Sequence, residues 1–352
     1  MTLPIETPAV LVDIDIARRN IRRFQDYADR NGIGVRPHIK THKLPQMAEL
    51  QLDAGAIGIT CQKVTEAEAM VDGSARIKDV LITYNILGKE KLARLERLNE
   101  RVILSVVADN QTVIDGLSVH FAHAGKPLTV LVECNTGADR CGVAMPAEAA
   151  TLARRISDAS GLRFGGLMTY PPADGAARVQ SFMSEAKRLI EADGLKVPTI
   201  TSGGTPGMME AAEAPITTEY RPGTYIYNDR SLVVRGVATW ENCALTVLAT
   251  VVSVPAENRA IIDAGSKVLT SDLLGLSGYG HVLGRDDIRI DQLSEEHGRL
   301  VSDGPIDLKV GEQVRIVPNH ACVVTNMVDA VHVLEGGKPK GQWPIPARGC
   351  VL

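Results

Sequence analysis

The chain has 352 residues, 45% hydrophobic and 23% charged, enough for a well-filled core and for two domains. A formal charge of −4, with 4% aromatics and no basic run interleaved with them, leaves nothing to grip a nucleic-acid backbone. No apolar run approaches the ~20 residues that cross a bilayer. The first residues carry no secretion signal, and six scattered cysteines (Cys61, Cys134, Cys141, Cys243, Cys322, Cys350) read as reduced thiols. A cytoplasmic protein without a membrane or nucleic-acid partner is expected.

An extended run at 9–12 comes first and could pair with either half of the chain. Short β-branched runs follow at 34–35, 56–59, 80–83, 102–107, 128–133, 164–168, 199–201 and 217–220. Amphipathic patterns lie between them at 43–52, 66–71, 89–98, 147–156 and 177–190. That alternation implies parallel βαβ units. About eight repeats favour a closed (β/α)8 TIM barrel over an open doubly wound sheet, and no GxGxxG follows the first strand. From Trp240 the texture turns to β-strand residues separated by Gly, Pro and Asn. The expected division is a barrel over 8–235 and a mostly β domain over 236–352, joined by residues 1–12.

Working side chains of such a barrel sit at the C-terminal ends of its strands. Lys40 ends the first run, in Arg36-Pro37-His38-Ile39-Lys40-Thr41-His42-Lys43. A lysine drawn into the mouth loses proton affinity and becomes a nucleophile toward an aldehyde, unlike a solvated one. Ser202-Gly203-Gly204-Thr205 precedes the helical 208–212 stretch and offers backbone N–H groups to a phosphate, where a plain turn is the alternative. Gly223-Thr224-Tyr225 could add donors. Arg140 follows the 128–133 run and either faces a bound group or pairs Glu133 or Asp139. His320-Ala321-Cys322 is read as extended, so imidazole and thiolate share a face and can grip one ion. Nitrogen with sulfur suits zinc.

Six stretches occur in a telling order: Pro37-His38-Ile39-Lys40-Thr41-His42-Lys43, Ile59-Thr60-Cys61-Gln62-Lys63, Arg140-Cys141-Gly142-Val143, Ser202-Gly203-Gly204-Thr205, Glu295-Glu296-His297-Gly298 and Pro318-Asn319-His320-Ala321-Cys322. Together they resemble the fold-type III pyridoxal-phosphate enzymes, the alanine-racemase-like barrels. Within these they look most like the metal-activated D-threonine aldolase and D-serine dehydratase branch. The resemblance runs from Thr7-Pro8 to Ala347-Arg348-Gly349.

It implies pyridoxal 5'-phosphate held on Lys40 as a Schiff base, with Arg140 facing the pyridine nitrogen and leaving it unprotonated. It places the phosphate on Ser202, Gly203, Gly204 and Thr205 with Tyr225, and Tyr170 against the cofactor, where packing alone is the other reading. It assigns a divalent metal (zinc, manganese or magnesium) to His320 and Cys322, so that Lys40, Tyr170 and His320 form the catalytic group. It implies a homodimer with active sites at the domain and subunit boundary, and a small D-amino acid as substrate.

The implied reaction is retro-aldol cleavage of a D-β-hydroxy-α-amino acid, D-threonine giving glycine and acetaldehyde. Dehydration on the same scaffold, racemisation, a non-catalytic cofactor-binding protein and a sugar- or phosphate-processing barrel are the alternatives. One departure stands out. Members of the branch often carry a histidine shortly after the tyrosine, and here the segment is Tyr170-Pro171-Pro172-Ala173-Asp174-Gly175. Either a hydroxide on the metal, Asp174 or a residue from elsewhere such as His281 replaces it as base, or the reaction differs.

Overall fold

The computed structural model describes residues 3–352 and starts with β1 (Ala9–Asp13) and α1 (Ile14–Arg30). The chain divides into two units, with the division falling inside α1. One contains Arg22–Lys40, Pro45–Gly223 and Cys350–Leu352. The other contains the residues up to Ile21, Thr41–Leu44 and Thr224–Gly349.

The first unit is the (β/α)8 barrel. Its strands are β2 (Gly34–Val35), β3 (Ile59–Cys61), β4 (Asp79–Ile82), β5 (Ile103–Ala108), β6 (Leu128–Cys134), β7 (Leu162–Thr169), β8 (Ile200–Ser202) and β9 (Glu219–Tyr220). All are parallel, in the order β2-β9-β8-β7-β6-β5-β4-β3. The two ends of that order meet. Ile57 N–H donates to Val35 O at 2.9 Å and Thr60 N–H to Pro37 O at 2.8 Å, and His38 bridges Thr60. Closure therefore removes both sheet edges. Between the strands run α2 (Pro45–Asp53), α3 (Val64–Gly73), α4 (Lys89–Arg101), α5 (Gln111–Phe121), α6 (Pro146–Asp158) and α7 (Ala176–Ala192).

These helices form because their apolar residues recur at three- and four-residue spacing, as Leu92, Leu95 and Leu98 do on α4. Of α1 to α7, two carry no mark in the sequence reading, α1 and α5. The second holds Gly116 in its middle and several β-branched residues, which blur the helical signal. It is started by the Asn110 side chain, which accepts the Val113 N–H at 3.0 Å.

Strand alternation sorts the barrel interior into layers. On β6, Thr129, Leu131 and Glu133 share one face, with Thr129 nearest the N-terminal end and Glu133 nearest the mouth. Leu131 packs with Leu81, Val107 and Met168 in a buried apolar layer. Polar layers lie on either side of it.

In the second unit β1 pairs antiparallel with β10 (Leu245–Ala256) and parallel with the sixteenth strand, as described below. β10 also pairs with β11 (Arg259–Ile262). Beyond these come β12 (His281–Val282), β13 (Arg289–Leu293), β14 (Gly298–Val301), β15 (Gln313–Val317), β16 (Ala330–Glu335) and β17 (Lys338–Pro344). The parallel partner of β1 is β16, with Leu11 opposite His332. Ile5, Ala9, Leu11, Leu248 and Leu334 form a buried cluster across β1, β10 and β16. Short helices α8 (Arg230–Val234), α9 (Ser266–Leu269) and α10 (Ala321–Met327) complete the unit. Among the described residues no helix is long and apolar enough to cross a membrane.

Two glycines separate backbone need from free space. Gly166 on β7 has φ +124°, and a Cβ there would lie 2.0 Å from Thr199 O. Gly166→Ala is expected to cost about 2–4 kcal/mol. Gly116 has open space around it, so Gly116→Ala should gain about 0.5–1 kcal/mol. Urea midpoints of the two variants check both signs.

Candidate functional site

Parallel strands place everything that follows them on one rim. Lys40 follows β2, Arg140 follows β6, Tyr170 follows β7, Ser202–Thr205 closes β8 and Arg221 follows β9. Lys40 does not end a strand, as the sequence reading had it. β2 stops at Val35, and Lys40 sits in a 3-10 turn, Ile39–Thr41. The ladder runs on past β2 through Pro37 O, which accepts the Thr60 N–H at 2.8 Å, and His38 N–H, which donates to Pro222 O at 2.8 Å, and the chain turns after it. His38 holds the turn. Its Nδ1 accepts the Lys40 N–H at 3.4 Å, so the ring proton is on Nε2, which donates to Gln62 Oε1 at 3.1 Å. Gln62 in turn donates to Thr83 O at 2.8 Å.

The structure brings Arg140, Tyr170 and the glycine turn together. The Arg140 guanidinium lies 4.7 Å from the Tyr170 ring centroid. A methyl group added at Gly204 would lie 3.3 Å from the same ring. Among the described residues Arg140 has no carboxylate of Glu133 or Asp139 within ion-pair distance, though its charge acts on Glu133.

Gly204 has φ +139°, which a side chain would strain, and a Cβ on Gly203 would meet Arg221 backbone at 2.7 Å. Among the described residues the N–H groups of Gly203 and Gly204 donate to no protein acceptor. Tyr220 Oη donates to Gly204 O at 2.9 Å, and Thr205 Oγ1 accepts the Gly223 N–H at 3.2 Å. A cradle that only glycine can line, with two unspent donors, fits a phosphate. Tyr225 belongs to the second unit, buried in the turn Thr224–Ile226.

Two charged groups were missed by the sequence reading. Glu133, 5% exposed, ends the interior face of β6. Arg221 is buried and donates through Nε to Thr201 Oγ1 at 2.8 Å and through Nη2 to Thr169 O. Burial lowers the Arg221 pKa to about 10. Burial, with repulsion from Asp109, pushes the Glu133 carboxyl up to about 7, against the pull of Arg140 and Arg221. Both had a signal, each being a charge at the end of an apolar strand run.

The metal candidates lie in the second unit, and one correction is due. His320–Cys322 is not extended. His320 is the N-cap of α10, with φ −140° and ψ 102°, and Cys322 is inside the helix. Asp229 forces this start, because its Oδ2 accepts the Ala321 N–H at 3.1 Å. The Cys322 side chain is nonetheless close enough to act on the His320 ring.

Asp272 Oδ2 lies 2.6 Å from His320 Nδ1, and Thr41 Oγ1 lies 3.1 Å from Cys322 Sγ. Burial disfavours the imidazolium, but Cys322, Asp272 and Asp229 outweigh it and raise His320 to about 9. With Nδ1 turned to Asp272, Nε2 and the thiolate are the donors that suit zinc. No cluster of three or more His, Cys, Asp or Glu side chains placed for a metal occurs among the described residues, so the remaining ligands would be water or substrate.

Of the candidate bases, Asp174 is exposed. His281 stacks on Trp240 at 3.8 Å, and burial lowers its pKa, so it is neutral at pH 7.

The raised Glu133 pKa has a sign in stability. Below pH 4.5 the folded and unfolded forms are both protonated, and between 4.5 and about 7 only the unfolded form ionises. Stability falls across that window by about 3 kcal/mol and levels above it. Glu133→Gln should lack this component, which urea midpoints of the apoprotein at pH 4.5 and 8 will show.

Residues 12–231 match the family model of the alanine racemase N-terminal domain, and 244–334 match that of a putative serine dehydratase domain. The chain is 34% identical to a D-threonine aldolase of Arthrobacter sp over 98% of its own length and 93% of that protein's. Among solved structures it resembles D-threonine aldolase from Filomicrobium marinum, with TM-score 0.91, 34% identity, and coverage of 99% and 97% of the two chains. It also resembles D-threo-3-hydroxyaspartate dehydratase from Delftia sp. HT23, with TM-score 0.89, 29% identity, and coverage of 97% and 98%. A model that matches more than half of the chain, and a relative similar along nearly all of it, lead to one conclusion: the chain belongs to the alanine-racemase-like, fold-type III family of pyridoxal-phosphate enzymes, and it is a lyase.

Proposed function

We propose that this lyase cleaves D-β-hydroxy-α-amino acids by a retro-aldol reaction, D-threonine giving glycine and acetaldehyde. The observation that carries the reading is the meeting of His320 and Cys322 with Asp272 on the far imidazole nitrogen. Racemisation needs no metal, whereas loss of a β-hydroxyl proton gains from one. Forms of an enzyme named D-threo-3-hydroxyaspartate dehydratase have been solved with a histidine and, two positions on, a cysteine replaced by alanine, the latter metal-free. His320 and Cys322 have the same spacing.

Pyridoxal phosphate, when bound, supplies an electron sink for the pair left at Cα. Lys40 is its point of covalent attachment in this reading, and the Gly203 and Gly204 N–H groups, with Ser202, Thr205 and Tyr225, hold its phosphate. Arg140, stacked on Tyr170, adds a fixed positive charge, and Tyr170 lends its ring to the cofactor. His320 and Cys322 hold a divalent ion, zinc by donor type, which supplies Lewis acidity at the β-hydroxyl. Asp272 fixes the imidazole tautomer by accepting the Nδ1 proton. The working protein is a cytoplasmic homodimer in this reading, and sedimentation tests the assembly.

Dehydration is the second reading, favoured by the match of residues 244–334 to a dehydratase domain. One incubation separates the two. D-Threonine should yield glycine and acetaldehyde, and 2-oxobutanoate with ammonia and no glycine would assign dehydration instead. Purified protein should absorb in the visible, and borohydride should trap cofactor on the wild type but not on Lys40→Ala. Cys322→Ala and chelation should each abolish cleavage while leaving the visible band. Asp272→Asn should weaken metal binding about 10–100-fold, with the rate restored by excess metal.

A further inference from the structure

The N-terminal end of the barrel, on the far side of the apolar layer from Lys40, holds a cavity of about 370 Å³. Leu81 and Leu131 line it from the apolar layer, and its walls come from β4, β5, β6, β7, β9 and the segments before β8 and after β2. The strand register is irregular at this end. The register of β7 against β6 shifts between Val130 and Leu131, leaving Gly165 on the cavity wall.

The charges around the cavity are distributed unevenly. On one side Arg36 is held by Glu219, its Nε 3.1 Å from Oε2, and by Asp79, 2.6 Å from Nη1. One guanidinium against two carboxylates leaves a surplus negative charge there. On the other side Arg163 has no carboxylate partner among the described residues. It donates only to Thr129 Oγ1, from Nε at 3.2 Å and Nη2 at 2.6 Å. With Thr129 Oγ1 accepting both, its own proton is left to donate inward. The hydroxyls of Ser105 and Thr199, also on the wall, have no hydrogen-bond partner among the described residues.

We propose that this cavity binds a small zwitterionic α-amino acid, its carboxylate on Arg163 and the hydroxyls of Thr129 and Ser105, its ammonium toward Glu219. The site is neutral as a whole, so it complements a molecule with both charges and no net charge. A phosphate dianion would find one open cation and two carboxylates. A lone carboxylate or a lone amine would use only half of the lining. The volume leaves room for the side chain of such an amino acid. The site is separate from the cofactor cradle, and the proposal does not depend on which reaction the mouth performs.

The test is calorimetric titration of glycine into the holoprotein after borohydride reduction, which locks the cofactor and closes the catalytic site to covalent chemistry. One site per chain is expected. Arg163→Gln should weaken it about tenfold or more, the loss of a charge-assisted contact, while leaving the visible spectrum and D-threonine turnover of the unreduced protein unchanged. Ser105→Val is the second variant and should weaken binding without touching any ion pair. Acetate and ethylamine should each bind at least tenfold more weakly than glycine. Three results would overturn the proposal: no heat with millimolar glycine, equal binding by wild type and Arg163→Gln, or acetate binding as tightly as glycine. Failure of borohydride to trap cofactor would count against the role of Lys40 and leave the glycine titration readable on the untreated protein.

Discussion

Closure of the parallel sheet between the Arg36–His38 segment and β3 is the constraint on which the catalytic end rests. Thr60 reaches across with its N–H to Pro37 O and with its hydroxyl to Arg36 O at 2.9 Å. Closure leaves the ring without an edge, and because all its strands run parallel they end on the same rim, so every residue after a strand is offered to the same space. The segment that shuts the ring is also the one that carries Lys40. His38 serves both ends of this arrangement. Its backbone joins the ladder, and its ring receives the N–H of the lysine two residues on. The Lys40 side chain is thus attached next to the backbone that closes the barrel.

The layers inside the ring keep unlike chemistry apart. Leu81, Val107, Leu131 and Met168 exclude water from the middle. Glu133 and Arg221 lie in the polar layer toward the mouth, Arg36 and Glu219 toward the other end. Both pairs sit in a medium of low dielectric, where an unbalanced charge is costly. The consequences differ. Arg36 is matched by carboxylates on two strands, whereas Glu133 has Asp109 near it and holds its proton to about neutral pH.

The second unit solves a different problem, that of holding an imidazole and a thiol side by side. Asp229 caps two short helices at once, accepting Leu232 N–H at 3.2 Å and Ala321 N–H at 3.1 Å. That double cap turns the chain immediately after His320 and brings Cys322 round to it. Asp272, remote in sequence, then sets which imidazole nitrogen faces the thiol side. A buried carboxylate, a capped helix and a histidine tautomer are one device here.

The sequence by itself determined the alternation of strands and helices, the switch to β structure after Trp240, and the residue types at the strand ends. These are local, written in periodicity and in the placement of Gly, Pro and charge. The eight strand runs were legible because each is a short apolar stretch between turn residues. The cofactor assignments needed the motif order besides, since no spacing makes Lys40 differ from another lysine. Helix α5 was obscured by Gly116 and its β-branched neighbours, whose weak helical propensity is offset by packing on the barrel.

Only tertiary structure decided that Arg140 lies on Tyr170, that Asp272 lies on His320, and that residues 320–322 bend rather than extend. It also decided which carboxyl would be Glu133 in a buried layer and which would be Asp174 in water. Such choices depend on partners far along the chain, 48 positions for Asp272 and His320 and 92 for Asp229 and Ala321. Burial and charge pairing are sums over neighbours in space, and a periodicity read along the chain carries no information about those neighbours.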